Sequence, residues 1–504
     1  MPLSDDIRDL IEHDTTEAQH LLRTLTDALP RSAEAHLLLA TAHLRRLEFP
    51  QALAGYRQTL ALDPRNDEAH RNLGFCLLAM GDYEGALAAY RQALALVQGA
   101  YALRFIALLC HRLGRMDEAI QNYERLLAKA QPNSPEIPFA LQGLAAALRD
   151  AGRPLAADAP MRQLTERFQR EPLWIASTLV ARNNSDDFHE WSAYADKSRL
   201  ATALRARLAV DPAGRFPESF VLPADRAALE AFAAGPGAPP LYIVKPARGS
   251  GGQGIAVTAD LAHALDRQDV VVQRYIDRPY LIEGRKGHCR IYGLITSADP
   301  LRAYVYSEGI VRIAPEPYDP RPDGIGGPSM HVTNTALHLG HPDLVVSDDP
   351  KAEDSGAIRS LSALLRRMSA DGLDGEAVFG EIKALVEWFV RLLAADGLFA
   401  RQAAVGPVRA FPPKLFGLDV LVDAEGHPWL IEMQRTPAAK GAPLVERING
   451  EMFATVFRMG QFALIDDATP PELLAALRAD DAARRAREAE IEHANRGRFV
   501  PLDL

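Results

Sequence analysis

The feature that most constrains this chain is a 34-residue period in its first third. Ala35, Ala69 and Leu103 are each 34 residues apart. Tyr56 and Tyr90 are separated by the same interval, and Tyr123 falls one residue short of it. Ala18, Ala52, Ala86 and Ala119 head the second helix of successive units, and Pro30 and Pro64 close the first two. The clearest unit, NDEAHRNLGFCLLAMGDYEGALAAYRQALAL at residues 66–96, carries the small and apolar residues of a helical pair, with a turn at residues 80–83. Such units cannot bury their apolar faces alone. They stack into an α-superhelix with a concave surface.

This pattern resembles the tetratricopeptide repeat, with about three good units and degenerate ones at each end. The resemblance implies a groove for a peptide or protein partner, with a structural cap or dimerisation module as the alternative. The pattern fades after Leu164, where Pro154, Pro160 and Pro172 interrupt it, and a boundary is expected near residue 170. The segment LWIASTLV that follows reads as strand-like. Next comes a helix in ADKSRLATALRARL with Lys197 in its first turn, then an extended Phe-Val-Leu segment and a helix after Pro223.

The loop GSGGQG at residues 249–254 formally matches G-x-G-x-x-G. Its flanks, LYIVKPAR and GIAVTAD, are both β-like, so it is not a dinucleotide fingerprint, which needs a helix after the glycines. No Lys-Ser or Lys-Thr follows, which excludes a Walker A loop. What remains is a flexible glycine hairpin whose backbone N–H groups can fold over phosphates, with Lys245 on the strand entering it and Arg248 at its start. DVVVQRYI is a strong short strand. Further β-type stretches carry Lys286, Arg290, Glu308 and Arg312 among apolar residues, and LRAYVYSEGIVRIA reads as a strand pair. Buried strand cations need anionic partners. His331, His338 and His341 match no standard zinc spacing.

Residues 417–434 read as a hairpin around a short Gly-containing turn. With Asp423 opposite Pro428, Leu421 pairs with Leu430 and Asp419 with Glu432, and Gln434 points to the same face as Glu432. Like charges directly opposite are destabilising, so two facing carboxylates call for a counter-charge, for which magnesium is the usual ion. A solvent-exposed acidic edge, or a register one residue different, is the alternative. Downstream, a helical pair spans residues 357–395, EMFATVFRMGQFALI is helical, and the charged segment after residue 466 reads as a solvated helical tail.

A length of 504 residues is enough for about three domains. A net charge of −10 argues against non-specific nucleic-acid binding. Three cysteines lie far apart with no CxxC, indicating neither a zinc site nor a disulfide framework and fitting a cytoplasmic setting. The N-terminus lacks the apolar core of a signal peptide, and no apolar run approaches the roughly 20 residues of a membrane helix.

Taken together, the second-half motifs resemble the tubulin–tyrosine ligase-like family of ATP-grasp ligases across roughly residues 190–460. The carrying pieces are YIVKPARGSGGQGIAV, VVQRYIDRPYLIEGRK, YVYSEGIVRIA, HVTN and FGLDVLVDAEGHPWLIEMQ. By that resemblance Lys245 contacts the ATP phosphates. The loop of Arg248, Gly249, Ser250, Gly251, Gly252, Gln253 and Gly254 closes over them. Gln273, Arg274, Tyr275 and Ile276 form a hinge that reads adenine, with Lys286 beside the ring. Asp419, Glu432 and Gln434 hold magnesium. Arg290, Arg312 and Asn334 bind the γ-phosphate, acyl-phosphate or amino-acid carboxylate, and Lys197 reaches into the site. The implied chemistry is phosphorylation of an acceptor carboxylate by ATP and attack by an amino-acid amine.

The sequence departs from the family pattern at His288 in Lys286-Gly-His-Cys-Arg290, at Gln434 in Glu-Met-Gln, and at Lys414. The expected fold class is therefore α + α/β: an α-solenoid at 1–170, the first part of the ligase domain at 171–235, an ATP-grasp domain at 236–465 and a charged tail at 466–504. The leading expectation is a carboxylate–amine ligase for a peptide or protein acceptor, without nucleic acid or membrane. The alternatives are a catalytically weak nucleotide-binding pseudo-ligase and a ligase for a small metabolite.

Overall fold

The computed structural model describes residues 15–46, 48–153, 156–186, 194–208, 214–247, 252, 254–319, 328–334, 338, 340–398, 413–437, 441–460 and 471–504. The first third is a run of antiparallel helical pairs. Those of the best-defined repeats are Ala33–Arg45 with Phe49–Leu62, Asp67–Ala79 with Tyr83–Leu96, and Ala100–Arg112 with Met116–Lys129. The period is written in the caps as well as the core. Ser32 and Asn66, 34 residues apart, accept hydrogen bonds from the Ala35 and Ala69 amides at 3.2 and 2.9 Å. Each such cap contributes about 1 kcal/mol. Ala52, Ala86, Ala119, Tyr56, Tyr90 and Tyr123 are all buried, so the periodic residues form the interior of the superhelix. Gly74 has no Cβ because Tyr90 needs the space: one added there would sit 3.0 Å from the ring.

The strand expected in LWIASTLV is instead part of the helix Pro172–Asp186. Ile175, Ala176, Leu179 and Val180 are buried, and this i, i+1, i+4, i+5 stripe packs on the helix Pro443–Gly460. The β-branched composition suggested a strand, but the tertiary contact decides for a helix. Phe168 stacks on Phe457 with centroids 3.9 Å apart. Ile137, Met161 and Leu164 share one core with Tyr292, Leu415 and Phe453. The apolar interior thus runs without a break across the boundary expected near residue 170.

The second half is built on two sheets. The smaller has the order β1-β4-β2-β3, from Ser219–Leu222 (β1), Tyr242–Pro246 (β2), Ala256–Thr258 (β3) and Val270–Arg274 (β4). The larger comprises Leu281–Ile282 (β5), Arg285–Ala298 (β6), Leu301–Ile313 (β7), Ile358–Ser360 (β8), Lys414–Val422 (β9), Pro428–Gln434 (β10) and Phe499–Pro501 (β11). Its path is β10-β9-β6-β7-β11, with β5 on β6 and β8 on β7. All of these pairings are antiparallel, and the glycine loop joins two paired strands, β2 and β3, as the sequence indicates.

Two further expectations change. LRAYVYSEGIVRIA is one strand rather than two, because its polar centre is satisfied in place. Glu308, 2% exposed, accepts from the Ser362 amide at 2.9 Å, the Ser362 hydroxyl at 2.7 Å and Arg498 at 3.0 Å. The charged C-terminal segment is not a solvated tail. Its helices Pro471–Ala479 and Asp481–Asn495 lead into β11 on the edge of β7. Buried Glu492 accepts hydrogen bonds from Thr296 at 2.7 Å, Arg302 at 3.2 Å and the Tyr304 hydroxyl. Among the described residues no helix is long and apolar enough to cross a membrane, and Cys76, Cys110 and Cys289 are buried free thiols.

Candidate functional site

The hairpin at the end of the larger sheet supplies the acidic wall. Leu430 lies opposite Val420, not Leu421, so the turn is one residue out from the expected register. A bulge between Leu430 and Glu432 then restores Glu432 to its place opposite Asp419. Asp423 holds the turn, accepting from the His427 amide and from Trp429 Nε1, both at 2.9 Å.

Arg290 on β6 is the cross-strand neighbour of Asp419 on the other side. Its Nε donates to one Asp419 oxygen and its Nη2 to the other, the latter at 2.9 Å. Gly417 makes room for this arm, since a Cβ there would sit 2.7 Å from Arg290 Cδ. Burial opposes ionisation of Asp419, but Arg290 outweighs it and holds the carboxyl well below the usual carboxylate range. Glu432 behaves in the opposite way. Burial, with the Asp419 charge added, pushes its pKa up. Lys197 Nζ stands 3.8 Å from Glu432, and the Gln434 amide donates to the same carboxylate.

These residues fit magnesium. Two hard carboxylates face each other, and the Glu432 carboxyl is raised by burial and by the Asp419 charge beside it. Gln434 carries a further oxygen. Among the described residues no group of three or more His, Cys, Asp or Glu side chains is arranged for a metal. Magnesium keeps waters and phosphate oxygens and takes only one or two protein carboxylates.

Cations from both sheets surround this acidic pair. Lys245 on β2 donates to Gln273 Oε1 at 2.7 Å, and Gln273 donates to the Ser219 hydroxyl at 2.8 Å, which fixes the ammonium in place. Burial pushes Lys245 down to about 8. Lys286 donates to the Tyr275 hydroxyl at 2.9 Å and lies 4.1 Å from that ring centroid. Burial and then the Lys245 charge push it down to about 7. The Tyr275 hydroxyl and His331 Nδ1 are 2.8 Å apart, and His331 Nε2 has no hydrogen-bond partner among the described residues. Burial also lowers Arg312, with Arg290 adding to the effect, and Arg435. Burial is the main cause in all four, and a neighbouring cation adds to it at Lys286 and Arg312.

The acidic and cationic side chains line one cavity of about 650 Å³. Lys197, Lys245, Gly252, Gln273, Arg274, Tyr275, Ile276, Lys286, Arg290, Arg312, Asn334, Asp419, Glu432 and Gln434 all line it. The structure thus gathers residues spread over more than 200 positions of sequence. Gly254 does not line the cavity; its φ of +70° and the 2.9 Å from its Cβ position to Pro246 explain the glycine. Arg248, Gly249, Ser250, Gly251 and Gln253 lie outside the described residues. The Arg274 side chain is committed to Glu218 at 2.6 and 3.2 Å. The Arg274 and Tyr275 amides go to the Glu218 and Leu241 carbonyls at 2.8 and 3.2 Å. A base at this edge would therefore be read by Ile276 and by carbonyl oxygens rather than by those two amides.

Sequence reasoning assigned no role here to Arg45, Asp196, His331, Thr333 or Arg435, which also line the cavity. His331 and Thr333 sit in the HVTN motif and Arg435 directly follows Gln434, so those three had a signal in their neighbours. His288, the departure from the family pattern, faces the acidic wall. Its Nδ1 pairs with the Thr333 hydroxyl, its Nε2 is 3.8 Å from Asp419, and burial pushes it down to about 4.

A cleft between two antiparallel sheets, lined by cations from both and by a carboxylate pair from the larger one, is carried on a helical-repeat scaffold. The chain belongs to the tubulin-tyrosine ligase family, whose sequence profile matches residues 183–471. The tetratricopeptide repeat profile matches residues 12–46, 39–100 and 76–135. Over 255 residues it is 34% identical to the tubulin polyglutamylase TTLL5 of Homo sapiens, covering 50% of this chain and 20% of that protein. It is 32% identical over 252 residues to the tubulin monoglutamylase TTLL4 of Homo sapiens, covering 49% and 21%. A probable beta-tubulin polyglutamylase of Tetrahymena thermophila is 31% identical over 234 residues, covering 44% and 19%. The chain thus spans about a fifth of the length of these curated relatives.

Proposed function

We propose that this protein is an ATP- and magnesium-dependent ligase that joins an amino acid to a carboxylate of a peptide or protein acceptor. The observation that supports it is the single cavity in which depressed, buried cations face Asp419 and Glu432. That pattern suits a triphosphate whose charge is shared between protein cations and a magnesium ion. Lys245 and Lys286 bind the nucleotide, and the glycine loop covers its phosphates. Asp419, Glu432 and Gln434 hold magnesium, which neutralises phosphate charge when bound. Arg290, Arg312, Asn334 and Lys197 position the anionic reacting groups.

In the reaction an acceptor carboxylate oxygen bonds to the γ-phosphorus and the bond to ADP breaks. The amine nitrogen of the incoming amino acid then bonds to the acyl carbon, inorganic phosphate leaves with the C–O electron pair, and the amine proton passes to phosphate or solvent. This chemistry asks for positioning and charge neutralisation more than for a proton-shuttling base. The names of the relatives make glutamate the first amino acid and tubulin the first acceptor to try. The repeats bind the acceptor or a partner, and the three free thiols accord with a cytoplasmic setting.

The test is release of ADP by the full chain that depends on both an amino acid and an acceptor, across a broad panel of each, with Asp419→Asn as the control. Absence of such release would count against the reading. The Gln434 amide directed at Glu432 favours a second reading, a nucleotide-binding protein with little turnover. Nucleotide binding without ADP release, unchanged by Gln434→Asn, would select it.

A further inference from the structure

One residue lining the cavity comes from the repeats. Arg45 is the last residue of the helix Ala33–Arg45, and it lines the cleft together with Lys197, Lys245 and Gly252. Its neighbours in sequence hold it there. Arg46 Nη2 lies 3.5 Å from Asp269, the residue before β4, and Arg46 Nε donates to Glu48 at 2.9 Å. Glu48 is fixed from behind by His43 at 2.7 Å and Gln19 at 2.9 Å. The Asp269 carbonyl accepts from the Ala247 amide at 2.8 Å, at the point where the chain leaves β2 for the glycine loop. The turn between the helices Ala33–Arg45 and Phe49–Leu62 thereby stands beside the base of that loop.

We propose that Arg45 is a specificity-determining residue for the acceptor: the repeats supply to the mouth of the cleft a guanidinium that pairs with a carboxylate of an acidic peptide. This rests on the ligase reading above and adds to it the residue by which the repeats touch the substrate. The choice of ligand follows from position. The deep cations, Lys245 and Lys286, are 4% and 7% exposed, and they serve whatever group lies buried between the sheets. Arg45 is exposed and belongs to a separate structural unit, so it meets the part of a ligand that projects out of the cleft. A projecting peptide carboxylate matches the planar, bidentate donor pattern of a guanidinium, which an ammonium does not reproduce.

The experiment is fluorescence anisotropy of a labelled glutamate-rich peptide on the full chain, with magnesium and a non-hydrolysable ATP analogue at saturation. Nucleotide affinity is measured separately, and a glutamine-rich peptide serves as the uncharged control. Arg45→Ala is expected to raise the peptide Kd about five-fold and Arg45→Glu further, with Arg45→Lys between wild type and alanine. Nucleotide Kd should stay within about two-fold, and the weak binding of the glutamine peptide should not respond. Unchanged peptide affinity in Arg45→Ala and Arg45→Glu overturns the proposal. So does weakened nucleotide binding with unaltered peptide binding, or failure of the wild type to bind the acidic peptide. Because binding rather than turnover is read, loss of this proposal is distinct from loss of the ligase reading, which ADP release decides. Arg45 is on the surface, and matching thermal melts show that its variants fold.

Discussion

Arg290 and Asp419 face each other across β6 and β9, and the guanidinium spans both oxygens of the carboxylate. The pair stands beside Glu432, so it sets how much negative charge the acidic wall carries. Arg290→Ala leaves Asp419 buried without its partner, and breaking a buried pair in this way costs about 3–5 kcal/mol. Urea denaturation should show that loss with an unchanged m value, and Arg290→Ala/Asp419→Asn should recover much of it. Gly417→Ala acts on the same pair. Its Cβ would fall 2.7 Å from Arg290 Cδ while the guanidinium is pinned, so a loss of about 1–3 kcal/mol is expected.

Glu432→Gln should separate stability from binding. Burial and the Asp419 charge raise the Glu432 pKa, so the ionised carboxylate is unfavourable in the folded protein. The folded state holds this proton more tightly than the unfolded chain, and the group's contribution falls as pH rises above the unfolded value of about 4.3. The variant, which carries no charge there, should be as stable as wild type at pH 7 or more stable by about 1 kcal/mol. Its magnesium-dependent nucleotide affinity should fall at least about ten-fold by calorimetry, because one of two hard ligands is gone.

Lys245 and Lys286 predict proton uptake on binding a polyphosphate. Burial lowers them to about 8 and about 7, below the roughly 10.4 of an unfolded lysine. Between those values the unfolded chain holds more protons than the folded one, so the ligand-free protein gains stability as pH rises from about 7 to 10. An anion favours the ammonium form and draws protons in. Calorimetry at pH 8 in buffers of different ionisation enthalpy should show uptake of about one proton per nucleotide, with less in Lys245→Met. Stability that falls across that pH range would contradict the assignment.

The C-terminal segment should prove structural. Glu492→Ala removes a buried acceptor shared by Thr296, Arg302 and Tyr304 and leaves a cation on β7 without it. A loss of about 2–4 kcal/mol is expected by denaturation. Removing residues 496–504 takes away β11 and the Arg498–Glu308 contact and should lower the melting temperature further.

Local patterns were legible where one residue type recurs at a period that only one packing satisfies. Tyr56, Tyr90 and Tyr123 announced the superhelix because a 34-residue interval brings them to the same place in every unit. Asp419 and Glu432 announced an acidic wall because strand alternation sends both to one face. The pairing held although the turn register was one residue out, since the bulge at Ile431 compensates.

Segments whose state depends on what covers them were not legible. LWIASTLV has strand composition, yet it is a helix because the Pro443–Gly460 helix buries one of its stripes. The charged tail reads as solvated until Glu492 meets Arg302 and Tyr304. By itself, then, the sequence determined the repeat architecture and the order of the β motifs, which follow from spacing along one chain, while the residues expected in the cleft came from a family resemblance. The place of Arg45 in the lining of the cleft, and the single core shared by repeats and sheet, were decided only by tertiary structure. Both join surfaces more than 100 residues apart, and such contacts leave no periodic trace in either partner.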